Sequence, residues 1–65
     1  MDFHTAVTAL VSIIQSPDHR EAYQSAENPE DYANFIAAPY RDALSNWNWN
    51  LIMEAVHESL DKKLT

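Results

Sequence analysis

The segment from residue 3 to residue 16 constrains the fold most, because it contains no Asp, Glu, Lys or Arg. At about 100° per residue, its apolar side chains cover an arc of roughly 200° of a helix, and its polar side chains share the remainder. A single neighbouring helix does not cover so wide a face. We therefore expect a helix buried inside a small bundle or between two chains. The residues expected to form this dimer or core seam are Phe3, Val7, Leu10, Val11 and Ile14.

The residue types that are missing narrow the fold further. The 65 residues form one domain, residues 1–65, near the lower size limit for a stable hydrophobic core. Without cysteine the chain has no disulfide and no thiolate metal site, and without glycine it cannot form the usual phosphate-binding loops. Tight two-residue hairpins are disfavoured for the same reason. The sequence predicts an all-α fold, a small bundle of three to five short helices that a second copy of the chain could complete.

Capping residues predict where the first two helices begin and end. Asp2 suits the N-cap of the first helix, and its charge suits the positive end of the helix dipole. Ser16 followed by Pro17 predicts the end of that helix and the cap and first position of the next one. The second helix is expected to be short and to run to about Ala26.

The second half of the chain carries two further helix signals. Asn28 and Pro29, followed by two acidic residues, predict the start of a third helix, which Pro39 should break near Ala38. A fourth helix is expected over residues 48–64. The apolar stripe predicted for the third helix is Tyr32, Phe35, Ile36, Tyr40 and Ala43. The stripe predicted for the fourth is Trp49, Ile52, Met53, Val56, Leu60 and Leu64.

The net charge of −6 limits the partners that the chain can take. Only four residues are basic, so a nucleic-acid backbone would be repelled, and direct nucleic-acid binding is disfavoured. An acidic surface can instead meet a basic protein patch or imitate a nucleic acid. The uncharged run is too short to span a bilayer and lacks the features of a secretory leader. We expect a soluble, cytoplasmic chain without membrane contact.

The run Asn46-Trp47-Asn48-Trp49-Asn50 is the most unusual local composition. The two indoles are two residues apart and cannot share one helix face. Trp49 aligns with the apolar stripe, whereas Trp47 lies one turn from Leu51, the one large apolar residue on the polar side of the last helix. The predicted protein-binding residues are Trp47, Leu51, Glu54 and Glu58. Alternatively, Asn48 is the N-cap and Trp47 packs on Ile52 as a hydrophobic staple.

The chain shows no strong signal for catalysis or for a cofactor. Glu54, His57 and Asp61 project from one side of the last helix, but one imidazole with two carboxylates is a weak metal-ligand set. No serine or threonine lies in a nucleophile elbow, and paired carboxylates would need a deep cleft to shift their pKa values. We expect no catalytic activity, no cofactor and no bound metal.

These observations predict a small acidic protein that regulates or inhibits another protein by binding it, and that also forms a homodimer. One alternative is a structural or assembly subunit of a larger complex. Another is an acidic nucleic-acid mimic that blocks a DNA- or RNA-binding protein. Small acidic helical chains of this kind also suit a phage or mobile-element product.

Overall fold

The computed structural model describes residues 2–64, and the side chains of residues 2–61. Over this range the chain forms four α-helices and one short 3₁₀ helix, without a strand. The α-helices are α1 (Phe3–Ile14), α2 (Arg20–Ser25), α3 (Pro29–Ala37) and α4 (Trp49–Leu64), and the 3₁₀ helix is Ala38–Tyr40. The predicted all-α bundle is therefore confirmed. Within the described residues, none of these helices is both long and apolar enough to cross a membrane.

The core lies between α1 and α4, which form the most extensive helix pair, and α3 packs against both. Val7, Leu10, Val11 and Ile14 are all buried there, facing the apolar side of α4. Ile52, Val56 and Leu60 of α4 are fully buried, as the predicted stripe requires, and Met53 is 6% exposed. The side chain of Leu64 lies outside the described residues.

Three of the predicted caps are present. The Asp2 carboxylate accepts a hydrogen bond from the Thr5 backbone N–H at 2.7 Å, and this bond lowers the pKa of the carboxyl group. The Asn28 side chain accepts from the Asp31 N–H at 3.3 Å and caps α3. The Asn48 side chain accepts from the N–H groups of Asn50 and Leu51, so α4 begins after Asn48.

The predicted start of the second helix is wrong. The Ser16 carbonyl accepts from the N–H groups of both His19 and Arg20, which closes a separate turn after α1. The helix α2 begins only at Arg20, has His19 at its N-cap position without a side-chain cap, and ends at Ser25. Tyr23 is its one buried residue, and burial raises the pKa of its phenol, with smaller contributions from the charges of Asp61 and Glu30.

The helices end without residues in the left-handed conformation. This is expected because glycine, the residue that adopts this conformation most readily, is absent from the chain. No residue in the described range has a positive φ. The C-cap residue of α1 is Gln15, with φ −89° and ψ 3°, and that of α2 is Ala26, in an extended conformation. The helix α3 tightens into the 3₁₀ turn that contains Pro39, so the predicted break near Ala38 is confirmed.

Candidate protein-binding surface

The side of α3 that faces the core differs from the predicted stripe. Ala33 and Ala37 are fully buried, Tyr32 and Ile36 are partly buried, and Phe35 is 73% exposed. On a helix of 3.6 residues per turn, Phe35 projects about 180° away from the mean direction of the two alanines. The buried face of α3 is therefore made of small side chains that let it approach α1 and α4 closely. The inclusion of Phe35 in the buried stripe is wrong.

Phe35 stands at the edge of an apolar groove that we call the Phe35 groove, with a volume of about 550 Å³. The groove lies between the end of α1, the turn before α2, and the segment from α3 into the 3₁₀ helix. Its size falls in the range of sites that take small ligands or several side chains of a partner. Its lining residues are Ile13, His19, Phe35, Ile36, Ala38, Pro39 and Tyr40.

A row of rings fixes one side of this groove. His19 Nδ1 and the Tyr32 hydroxyl lie 3.3 Å apart and share a hydrogen bond, and the two rings meet edge to face. The Tyr32 ring then contacts the Phe35 ring, with centroids 6.5 Å apart. These contacts hold Phe35 in place on the helix while most of its surface stays in solvent.

On the opposite side of the same α3 segment lies a second, more polar groove of about 590 Å³, here called the Arg41 groove. The Arg41 guanidinium carbon lies 5.9 Å from the centroid of the Trp49 ring, a cation–π contact. His57 borders the groove, and its Nδ1 atom is buried without a hydrogen-bond partner. The lining residues are Asn34, Ala38, Arg41, Trp49, Asn50, Met53, Glu54 and His57. Ala38 belongs to both grooves and is exposed on the ridge between them.

The residues predicted from the sequence as a binding patch differ in their burial. Leu51 is 56% exposed, and Glu54 and Glu58 are exposed beside it on α4. Trp47 instead precedes the helix, is half-buried and packs against the core. The Asn48 cap is the one that the staple alternative requires, and Leu51 is exposed on α4.

The residues predicted as a dimer or core seam divide in a similar way. Val7, Leu10, Val11 and Ile14 are at most 6% exposed within a single chain, so they occupy its core. Phe3 is 38% exposed and borders a smaller groove with Ala55 and Glu58. Val7 also lines this groove, so a second copy of the chain could reach Phe3 and the edge of Val7, but it could reach Leu10, Val11 and Ile14 only by opening the core.

The weak metal-ligand set on α4 does not gather into a site. Among the described residues, no group of three His, Cys, Asp or Glu side chains lies close enough together to hold a metal ion.

Phe35 is the surface residue that sequence reasoning missed. The signal that could have found it is the spacing of Ala33 and Ala37, which defines a second possible buried face of α3. No protein family, no curated protein and no solved structure matches this chain.

Proposed function

We propose that this chain regulates or inhibits another protein by binding it through the Phe35 groove. The observation that supports the proposal is the 73% exposure of Phe35 beside an apolar groove. Folding removes only a small part of the Phe35 side chain from water, whereas a partner that covers it would bury the remaining exposed part. Large aromatic side chains that become buried on binding are typical energetic centres of protein interfaces.

The free energy available from covering Phe35 is of the size expected for an energetic centre of an interface. An aromatic side chain buries about 150–250 Å², so covering the exposed fraction of Phe35 would remove on the order of 100–180 Å² from water. At about 25 cal/mol per Å² this corresponds to roughly 3–4 kcal/mol before the costs of association. Tyr40, which is 41% exposed, adds to the same surface.

Two matched variants separate this surface from the patch predicted on α4. Phe35→Ser and Leu51→Ser each replace an exposed apolar residue of a helix, so both should keep the helical circular dichroism of the wild type. In affinity capture from a lysate, we expect Leu51→Ser to retain the partner of the wild-type chain and Phe35→Ser to lose it. Loss with Leu51→Ser and retention with Phe35→Ser would contradict the proposal and favour the α4 patch.

The excess of ten acidic over four basic residues keeps the nucleic-acid mimic as a second candidate function. A mimic would bind a DNA- or RNA-binding protein, and its affinity would fall steeply with added salt. A complex formed through the Phe35 groove should depend only weakly on salt, because apolar burial drives it. Equal affinity at low and high salt therefore excludes the mimic, and a steep loss of affinity contradicts the apolar mode.

A structural subunit or a homodimer would use the same surfaces for assembly. A subunit should copurify with one complex in fixed stoichiometry, whereas a regulator should exchange on and off its target. Sedimentation over a dilution series tests self-association, since a dimer dissociates as the concentration falls. We place the chain in the cytoplasm on its composition, and localisation of a tagged chain tests this.

A further inference from the structure

Arg41 follows the 3₁₀ helix and lies on the opposite side of the ridge from the Phe35 groove. Around this 3₁₀ turn, consecutive side chains enter different grooves. Tyr40 lines the Phe35 groove, and the next residue, Arg41, lines the Arg41 groove. The Arg41 backbone N–H donates to the Ala38 carbonyl at 3.1 Å, which fixes the turn. This short segment therefore borders an apolar groove on one side and carries a cationic side chain on the other.

The charge of Arg41 is unusual in its surroundings. The chain has ten acidic residues, yet Arg41 forms no ion pair with a carboxylate in the part of the chain that the structure describes. Its guanidinium lies instead over the Trp49 ring, which restricts the side chain and leaves its N–H donors unused by any described acid. A planar guanidinium held in this way suits bidentate binding of a carboxylate.

Neighbouring groups suit the same ligand. The side-chain amides of Asn34 and Asn50 border the Arg41 groove, and each offers two N–H donors. Glu54 also borders this groove, and its charge disfavours an isolated anion there. A carboxylate that belongs to a segment already anchored in the Phe35 groove avoids much of that cost, because the apolar contact supplies the binding energy.

We propose that the partner segment lies across the α3 ridge, with apolar side chains in the Phe35 groove and one Asp or Glu carboxylate on Arg41. This inference rests on the proposed function of the Phe35 groove and specifies the chemistry of the partner there. Because Ala38 lines both grooves, a segment that fills both must cross α3 at this residue. The contact of its carboxylate with Arg41 then fixes the register of the segment.

Selection of 12-residue peptides from a random displayed library against the full chain tests this chemistry without a known partner. Peptides that lose binding to Phe35→Ser are synthesised and measured by calorimetry. We expect them to contain an acidic residue close to two apolar residues, and to bind Arg41→Gln at least tenfold more weakly, about 1.4 kcal/mol. Arg41→Lys should bind with intermediate affinity, because it keeps the charge but loses the planar fork.

A double-mutant cycle then separates pairing from a change in fold. Replacing the peptide carboxylate by its amide should weaken peptide binding as much as Arg41→Gln does. Combining the two changes should weaken binding no more than either change alone. Circular dichroism of Arg41→Gln equal to that of the wild type excludes unfolding as the cause.

Each other outcome has a distinct meaning. Peptides that require Phe35 but carry no acid, or that bind Arg41→Gln unchanged, overturn the carboxylate inference and leave the proposed function in place. Peptides that bind Phe35→Ser as well as the wild type, or a library that enriches none, overturn both.

Discussion

Replacing Phe35 by alanine should change the free energy of unfolding by about 0.5 kcal/mol. Full burial of such a side chain stabilises a fold by about 1.5–3 kcal/mol, and a 73% exposed Phe35 realises only about a quarter of it. The ring contact with Tyr32 adds about 0.5 kcal/mol. The higher helix propensity of alanine offsets about as much. The net cost is therefore small for a residue of this size.

Ile52→Ala provides the matched comparison, because Ile52 is fully buried in the same protein. Truncating a buried isoleucine costs about 2–5 kcal/mol. A chain of 65 residues has a total stability of roughly 3–10 kcal/mol, so this variant should lose a large part of it.

Urea unfolding followed by circular dichroism measures both changes. With a denaturant slope near 1 kcal/mol per M, the midpoint of Phe35→Ala should shift by about 0.5 M, and that of Ile52→Ala by about 2 M or more. A Phe35→Ala shift as large as the Ile52→Ala shift would show that Phe35 belongs to the core and not to the exposed surface.

Three further predictions concern the cap of α4 and the two groups with shifted pKa values. Asn48→Ala should lower the free energy of unfolding by about 1 kcal/mol, because two backbone N–H groups lose their acceptor. In a calorimetric scan the melting temperature should fall by about 4–8 °C, and an unchanged melting temperature would contradict the cap. The hydrogen bond from Thr5 lowers the pKa of Asp2 below 3.8, so its stabilisation is present above that pH and is lost as the pH falls through the folded-state value. Urea midpoints between pH 2 and 6 should therefore fall more steeply on acidification for the wild type than for Asp2→Asn, and parallel curves would contradict this role. Burial raises the pKa of Tyr23 above 10.0, so the buried neutral phenol stabilises the fold fully below pH 10, and this stabilisation is lost as the pH rises further. Tyr23→Phe should therefore flatten the alkaline fall in the urea midpoint. An equally steep fall in that variant would count against burial as the cause.

Local rules predicted most of the fold, because its signals come from neighbouring residues. Asp2, Asn28 and Asn48 cap the helices that their positions predict, and Pro39 ends α3 where its missing N–H requires it. The second helix was predicted three residues too early. Ser16 accepts through its backbone carbonyl in a closed turn, and the sequence does not distinguish that arrangement from a side-chain cap.

The exposure of Phe35, on which the proposed binding surface rests, is harder to predict, because it depends on which face of α3 meets the core. Helical spacing allows either an aromatic stripe or the alanine pair to face inward. Burying Ala33 and Ala37 brings α3 close to its neighbours, and this choice exposes Phe35. Such a choice depends on the packing of several helices together, which no single segment encodes. The same limit applies to Trp47, whose burial depends on the loop before α4.

The footprint of the captured partner on the ¹⁵N-labelled chain tests the proposal that the partner binds in the Phe35 groove. In amide correlation spectra, we expect the largest shifts or broadening at Phe35, Ile36 and Tyr40, the part of α3 and the 3₁₀ helix that borders the Phe35 groove. Changes confined to the exposed face of α4 around Leu51, with those three amides unaltered, would contradict it.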